Sequence, residues 1–482
     1  MAKKISLGII LFLAFFLRTY RTGDLLGFYY DQGRDAKIIW DLWHNGKFFM
    51  IGPTTGIEGI FLGPFFYYFI APFYILGNGN PVIPAVWLAF VNVVGIYIVY
   101  RVGKDYFSES TGIIAAFLIS ISLNLVQAHR WLSNPTPLPL FSAICVWLLL
   151  KIVVDKQKNI LNWLFLGLCL GLSLQLEAAS AIFFLPATAL ILLLNKTWPK
   201  IWMFSTFGLT LLPQTIFNLR HQNILVKAFQ VFLVGQKSFR AEFTDFLKTR
   251  LVFYFEAFSN KFVLDDFFKK VFVILIVFLV VIVWKIIPKK TFSILLIWWI
   301  TPLIFLLFYH GNYGYVWEYY FTGVFNVVSL IVGIVLGYVF DIGRWGKAVV
   351  VCLLVVVAWQ NFPTLYSYLT AGLDGKTHIT LGTSLAAVDW VYKNAGENKF
   401  NVDVYVPPVI PHAYDYLFLW RGKSKWDRTP SEERQSLLYT LFEVDPPHPE
   451  RLDAWMARQR GIGVIEAQEE FGGVISQRRH RI

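Results

Sequence analysis

The stretch "GFYYDQGRDAKIIWDL", residues 27–42, follows an apolar N-terminal segment and carries a group of charged side chains. Read as a helix that begins at Asp31, it has apolar residues at helical spacing on one face: Ala36, Ile39, Trp40 and Trp43. Asp31, Arg34 and Asp41 project from the opposite face. The pattern predicts an amphipathic helix that lies on a membrane surface, with Asp31 at its start.

The composition of the whole chain is typical of a polytopic membrane protein. Of its 482 residues, 56% are hydrophobic and only 15% are charged, and apolar runs recur along most of the length. The net charge of +12 comes mainly from Lys and Arg in the gaps between these runs, which favours bilayer topology over nucleic-acid binding. The three cysteines lie in apolar segments, at spacings that indicate neither a disulfide framework nor a metal site.

About eleven apolar stretches are long enough to cross a bilayer. They lie near residues 5–20, 82–100, 111–127, 137–154, 160–176, 178–195, 200–217, 270–287, 291–309, 318–340 and 346–362. The shorter apolar segment 61–77 contains Pro64 and Pro72 and is predicted to be an interfacial or re-entrant helix. The basic, apolar N-terminus resembles a signal peptide, but no small-x-small cleavage site follows it. We therefore interpret it as a retained first span.

Basic residues in alternate gaps predict the orientation of these spans. If Lys3 and Lys4 are cytoplasmic, the same side receives the basic gaps that follow: Arg101 and Lys104; Lys151, Lys156 and Lys158; Lys196 and Lys200; Lys285, Lys289 and Lys290; Arg344 and Lys347. All long loops then lie on the extracytoplasmic side, where no nucleotide-activated sugar is available. We expect the N-terminus to be cytoplasmic and the C-terminal region to be extracytoplasmic.

The C-terminal region changes character after Pro363. Helical and strand patterns alternate there, with predicted helices at 383–396 and 448–461, a strand at 399–408 and a strand pair within 461–482. The predicted fold class is an all-α polytopic membrane protein with amphipathic surface helices and a small extracytoplasmic α/β domain. We place the transmembrane domain at residues 1–362 and the C-terminal region at 363–482.

The polar residues that the topology places on the outer face are the candidate site. Asp31 follows three aromatic residues, and a second loop acid, Glu58, precedes the segment 61–77. Two such carboxylates suit a general base and its orienting partner. Asp35 is either a site acid or an ordinary first-turn acid facing the helix dipole. Further candidates for substrate binding share this face: Arg34, His129, Arg130, Asn134, Glu177, Arg220, His221, His310, Glu318, Tyr319 and Tyr320.

Four segments, in this order along the chain, carry a family resemblance. They are "DQGRDAKIIWDLWHNGKF" (31–48), "EGIFLGPFFYYFIAPFYILG" (58–77), "YRVGKDYFSESTGIIAAFLISIS" (100–122) and "QAHRWLSNPTPLPLF" (127–141). Over roughly residues 5–340 the chain resembles the GT-C superfamily of polyprenyl-phosphate-sugar-dependent glycosyltransferases. It is most similar to the bacterial branch related to protein O-mannosyltransferases and to the transferase that adds aminoarabinose to lipid A. The resemblance implies a GT-C-like fold in a bacterial-type inner membrane.

The resemblance also implies roles for the first-loop acids. In that family the acid at the start of the surface helix is the catalytic base or assists it, which corresponds to Asp31. A second acid often follows directly, where this chain has Gln32, so Asp35 is the substitute candidate. The family's acid before the proline-containing segment corresponds to Glu58.

Two departures from the family concern the lipid phosphate. The lysine that usually follows the second loop acid is missing after Glu58. The basic residue usual near the tenth span is replaced by the sequence Glu318, Tyr319, Tyr320. We expect Arg130, with Arg220 or His221, to bind the phosphate instead, because a guanidinium can hold it at two points.

The predicted function is transfer of a hexosyl or pentosyl group from a polyprenyl-phosphate sugar to an acceptor hydroxyl or amine on the extracytoplasmic face. The expected partners are this donor, a lipid, glycan or protein acceptor, and the bilayer, and we expect no nucleic acid and no metal or other cofactor. A lipid-linked sugar flippase or exporter is one alternative, although the span pattern has no internal duplication. A polysaccharide polymerase or ligase is the other.

Overall fold

The computed structural model describes residues 2–235, 243–309, 315–407 and 410–482. The predicted candidate His310 and the end of the predicted strand at residue 408 lie outside these ranges. The N-terminal third of the described chain, which carries the surface helix, contains α1 (Ala2–Thr19), α2 (Thr22–Leu25), α3 (Tyr30–Asn45), α4 (Phe65–Leu76), α5 (Val82–Tyr106), α6 (Glu109–Ile121), α7 (Leu123–His129) and α8 (Leu138–Val153).

The helical region continues to residue 370. It contains α9 (Ile160–Leu176), α10 (Ala178–Ala181), α11 (Phe184–Leu194), α12 (Ile201–Thr210), α13 (Leu212–Arg220), α14 (Ile224–Gly235), α15 (Phe243–Ser259), α16 (Asp266–Val283), α17 (Lys289–Leu307), α18 (Phe325–Asp341) and α19 (Arg344–Thr370). The predicted domain boundary at residue 363 falls inside α19.

Three described helices are long and apolar enough to cross a membrane: α5, α17 and α19. Helices α6 and α7 meet at an angle of 71° and qualify together as a fourth, broken span. Shorter apolar helices lie where most of the other spans were expected, so the number of crossings stays a prediction. The interfacial or re-entrant segment is helical as α4, which contains Pro72.

Small residues set the close packing of the helical region. A Cβ atom added at Gly337 or Gly333 of α18 would meet the backbone of Thr111 or Ala115 of α6. Helices that approach this closely gain dispersion contacts along their whole interface, which is a common packing mode in membranes. The pattern places α6 and α18 at the centre of the helical region.

The predicted span 318–340 is not one continuous helix. Residues Glu318–Phe321 form a 3₁₀ turn, and α18 begins only at Phe325. Gly323 lies between them, where its N–H donates to Ser180 Oγ (3.1 Å) and its carbonyl accepts from Ser142 Oγ. These side chains satisfy backbone groups that a continuous helix would have paired.

The C-terminal region is the predicted small α/β unit. It contains α20 (Leu381–Ala395), β1 (Asn401–Tyr405), α21 (His412–Arg421), β2 (Leu437–Glu443), α22 (Pro449–Arg460), β3 (Gly463–Phe471) and β4 (Val474–Arg481). The strand order is β1-β2-β4-β3, with β1 parallel to β2 and the other neighbours antiparallel. Helix α21 and strand β2 were not predicted. All seven residues of β2 are buried, so the strand has no alternation of buried and exposed residues that would indicate it.

Helix α21 packs directly on the surface helix α3. A Cβ atom added at Gly33 would collide with the backbone of His412 and Ala413. The rings of Tyr30 and His412 lie 4.8 Å apart, and Lys37 pairs with Asp415 at 3.6 Å. The C-terminal region therefore covers one face of the helix that carries the candidate acids.

Candidate active site

Helix α3 begins where the sequence predicted an acid-led helix. The side-chain Oε1 of Gln32 accepts the backbone N–H of Tyr29 at 3.0 Å, which satisfies a donor that the helix leaves unpaired. Gly46 ends the helix in a left-handed conformation (φ 62°). The residue that departs from the family pattern, Gln32, thus has a structural role at the helix start.

Four side chains form what we call the acid cluster: Asp31, Arg34, Asp35 and Tyr67. The guanidinium of Arg34 lies 2.8 Å from Asp31 Oδ1 and donates to Asp35 Oδ1 from Nε (2.9 Å) and Nη2 (2.7 Å). The hydroxyl of Tyr67, on α4, also donates to Asp35 Oδ1 (3.2 Å). One arginine therefore holds both candidate acids, which sit four residues apart and face the same side of the helix.

The two acids of the cluster differ in exposure. The side chain of Asp35 is 6% exposed, whereas that of Asp31 is 55% exposed. Burial raises the pKa of the Asp35 carboxyl to about 6, against the opposing effect of Arg34. Asp31 is the acid that a substrate can reach, and Asp35 is suited to position the arginine behind it.

Glu58 lies in the loop that joins α3 to α4. It is exposed, and its loop is tied to the acid cluster through Thr54, whose Oγ1 accepts from Arg34 Nη1 at 3.1 Å. The same loop is fixed further along by Gln175 of α9, whose Oε1 accepts the N–H of Phe65 at 3.1 Å. The loop is thus held at both ends, with Glu58 between them.

A second group of candidates lines a cavity of about 120 Å³, which we call the lysine cavity. Its polar walls are His129, Thr136, Lys261, Glu318, Tyr319 and Asn326, and its apolar walls include Leu125, Pro139 and Phe325. Lys261 is 3% exposed and pairs with Glu318, whose side chain is half exposed. Burial lowers the pKa of Lys261, and the charge of Glu318 opposes that shift.

His129 connects this cavity to α1. Its Nδ1 lies 3.1 Å from Nε of Arg18, a buried residue whose other guanidinium nitrogens bind backbone carbonyls of Ala14, Ile119 and Ser120. His129 Nε2 and both side-chain polar atoms of Asn326 are buried, and none has a hydrogen-bond partner among the described residues. Unpaired buried polar atoms are costly and require an explanation.

Glu177 and Asn134 lie next to this region. Asn134 Nδ2 donates to the carbonyl of Leu176 (2.6 Å) and approaches Glu177 Oε2 (3.4 Å), while Glu177 Oε1 accepts the N–H of Ala179 (3.1 Å). Burial raises the pKa of Glu177 to about 7. The cavity-wall residue Tyr319 is close enough to Glu177 to interact with its charge.

The remaining candidates lie elsewhere. Arg130 donates to the carbonyls of Leu17 (3.0 Å) and Tyr20 (2.9 Å), so its guanidinium is used in packing α7 against α1. Arg220 and His221 are exposed at the end of α13, where the His221 ring stacks on Phe217. Tyr320 lies beside Tyr319, with ring centroids 4.8 Å apart.

A groove of about 1040 Å³ lies in the C-terminal region, and Lys37 of α3 contributes to its wall. Its charged walls are Lys37, Asp403, Asp415, Glu432 and Arg458. It is large enough for an extended substrate, and Lys37, which lines it, lies on the same helix as the acid cluster.

Three residues of these sites were missed from the sequence: Tyr67, Lys261 and Asn326. Tyr67 was read only as part of an apolar segment, and Lys261 lies in a predicted outer loop from which only Arg220 and His221 were taken as candidates. Asn326 was hidden inside a predicted span, although a polar amide there is costly in lipid and is therefore a usable signal.

Comparisons with known proteins agree with this architecture. Residues 62–217 match the family model of dolichyl-phosphate-mannose-protein mannosyltransferases. No curated protein sequence matches the chain. The structure of ArnT from Cupriavidus metallidurans bound to undecaprenyl phosphate superposes with a TM-score of 0.61 at 10% identity, covering 98% of this chain and 97% of ArnT.

A second solved structure shares the fold more distantly. The archaeal oligosaccharyltransferase AglB from Archaeoglobus fulgidus, in complex with an inhibitory peptide and a dolichol-phosphate, superposes with a TM-score of 0.51 at 13% identity. The match covers 96% of this chain and 72% of AglB. The predicted resemblance is confirmed: residues 62–217 match the family model, and the chain shares the fold of ArnT and AglB.

Proposed function

We propose that this protein is an integral-membrane glycosyltransferase that moves a sugar from a polyprenyl-phosphate donor to an acceptor hydroxyl or amine on the extracytoplasmic face. The observation that carries the proposal is the acid cluster at the start of α3. The fold supports the donor class, because the similar structures of ArnT and AglB hold undecaprenyl phosphate and a dolichol-phosphate. The orientation with a cytoplasmic N-terminus belongs to this proposal.

Asp31 acts as the general base in this proposal. Its carboxylate is exposed and lies 2.8 Å from Nη1 of Arg34, so it is oriented while remaining open to an acceptor. As the acceptor oxygen or nitrogen attacks the anomeric carbon, the bond to the phosphate oxygen breaks, and Asp31 takes the acceptor proton. The leaving phosphate is a weak base, so it needs positive charge more than a proton.

Asp35 and Tyr67 are positioning residues in the proposal. Asp35 binds two nitrogens of Arg34 and so fixes the third, Nη1, on Asp31. Tyr67 fixes Asp35 from the neighbouring helix. Glu58, exposed in the loop that Arg34 also holds through Thr54, is the candidate for orienting the acceptor. We expect the reaction to proceed without a divalent metal, so that transfer persists in EDTA.

The test is transfer of labelled sugar from a polyprenyl phosphate in membranes containing Asp31→Asn. A positioned general base contributes about 10²–10⁴-fold to a rate, so we expect a loss of that size. The matched control is Asp41→Asn on the same helix, since Asp41 binds the exposed side chains of Lys47 and Asn45 and lies outside the acid cluster. Full activity of Asp31→Asn would overturn the proposal, and movement of labelled lipid without bond formation would indicate a transporter instead.

A further inference from the structure

We propose that the lysine cavity binds the phosphate group of the lipid-linked donor, with Lys261, His129 and Asn326 as the ligand residues. This inference rests on the proposed function for the identity of the lipid. It replaces the exposed Arg220 and His221, and the packed Arg130, as the source of positive charge. Its basis is one cavity lined by a buried lysine, whose partner carboxylate is half exposed, and by two residues with buried polar atoms that no described residue pairs.

The tautomer of His129 follows from its contact with Arg18. A guanidinium can only donate, so Nδ1 of His129, 3.1 Å from Arg18 Nε, must accept. In the neutral ring the proton then sits on Nε2, which is buried and unpaired among the described residues. His129, which lines the cavity, therefore carries a buried donor without a partner among the described residues, and such a donor favours an oxyanion ligand.

Asn326 and Lys261 add further donors to the same cavity. The amide of Asn326 is 1% exposed, and both its polar atoms are unpaired among the described residues. Nζ of Lys261 lies 4.3 Å from the centre of the Phe325 ring, next to Asn326 in sequence. An unpaired buried amide costs free energy, and a phosphate oxygen that accepts from Asn326 Nδ2 would offset that cost.

Glu318 is the counter-ion of the buried lysine in this cavity. It pairs with Lys261, but its side chain is half exposed, whereas that of Lys261 is 4% exposed. An entering phosphate can therefore displace the carboxylate toward water and take over the buried lysine. Buried Arg18, which contacts His129, adds positive electrostatic potential at the cavity. Unlike Lys261, Arg18 is not paired with Glu318.

The size of the cavity restricts what enters it. A cavity of about 150 Å³ holds a benzene-sized guest, so the 120 Å³ here accommodates a phosphate group but not a whole saccharide. The apolar walls Leu125, Pro139 and Phe325 suit the first carbons of an isoprenoid chain. The sugar would extend outside the cavity.

The experiment compares binding of undecaprenyl phosphate and undecaprenol to the full-length protein in detergent, by calorimetry. Loss of one charged hydrogen bond corresponds to roughly tenfold in affinity, so Lys261→Met and Asn326→Leu should weaken phosphate binding by about that factor or more and leave undecaprenol binding unchanged. Glu318→Gln should tighten phosphate binding, because it removes the competing carboxylate. A purely structural role for Glu318 would not produce a gain.

The control is Lys270→Met, which removes one exposed lysine near the same end of α16, and it should bind as wild type. Wild-type affinity in both Lys261→Met and Asn326→Leu overturns the inference, as does displacement of the lipid by inorganic phosphate at equal concentration. If the variants lose the lipid but the wild type transfers no sugar, the proposed function fails alone. If the wild type transfers sugar and the variants bind normally, the inference fails alone.

Discussion

The acid cluster and the lysine cavity are two polar sites of opposite construction. In the acid cluster, Arg34 and Tyr67 satisfy the buried carboxylate of Asp35, and only Asp31 is left open. In the lysine cavity, His129 and Asn326 keep buried polar atoms without partners among the described residues. A satisfied network stabilises the fold and orients one group, whereas an unsatisfied one is costly until a ligand completes it. Substitutions should therefore have opposite effects on stability in the two sites.

Arg34→Met should have the largest effect on stability. The substitution leaves the buried carboxylate of Asp35 without a cationic partner. Removing one partner of a buried ion pair lowers the free energy of unfolding by about 3–5 kcal/mol. The midpoint of thermal unfolding in detergent should fall accordingly, while undecaprenyl phosphate binding below that midpoint is retained. An unchanged midpoint would show that Arg34 does not stabilise the cluster.

Asp35→Asn should change the pH dependence of stability. The pKa of Asp35 is about 6 in the folded protein and near 4 in an unfolded chain, so the folded state binds the proton more tightly. This contribution is fully present below pH 4 and is lost as the pH rises through 6; a difference of two pKa units amounts to roughly 3 kcal/mol. Relative to Asp35→Asn, the wild type should lose thermal stability between pH 4 and 6. Parallel profiles for the two proteins would contradict this.

Gly33→Ala should loosen the contact between α3 and α21. The added Cβ meets the backbone of His412 and Ala413, which cannot move aside as a flexible side chain does. Overpacking of this kind costs about 1–3 kcal/mol. Gly208→Ala is the matched control, because a Cβ at this helical glycine meets nothing within 4 Å. Limited proteolysis of the C-terminal region measures the difference, and equal resistance of the two variants would argue against a tight contact.

Asn326→Leu should have the smallest effect and the opposite sign. It replaces a buried, unpaired amide by an apolar side chain of similar size, which should stabilise the protein by about 1 kcal/mol while weakening phosphate binding. A higher unfolding midpoint together with lower affinity would separate the cavity from the acid cluster. A lower midpoint would show that the amide contributes to the fold.

The surface helix shows which features of the fold a local sequence pattern can predict. The helical spacing of its apolar residues and the acid at its start predicted α3 correctly, since both signals lie within one short segment. The short β2 strand was missed because a fully buried strand has no alternation of polar and apolar residues. Helix α21 was also missed, and its packing on α3 became visible only in the structure. Lys261 was missed because nothing near it in sequence indicates a cavity, and Asn326 because its span was predicted from the overall apolar character of the segment.

By itself, the sequence determined the membrane class, the helical fold and the surface helix with an acid at its start, because hydrophobic patterning and helical periodicity are local properties. Only the tertiary structure decided that Arg34 joins Asp31 to Asp35, that Arg130 is used in packing, and that Lys261 meets Glu318. These contacts join distant segments or depend on the direction of a side chain. Burial, which sets both the pKa of Asp35 and the cost of an unpaired amide, exists only once those segments have packed together.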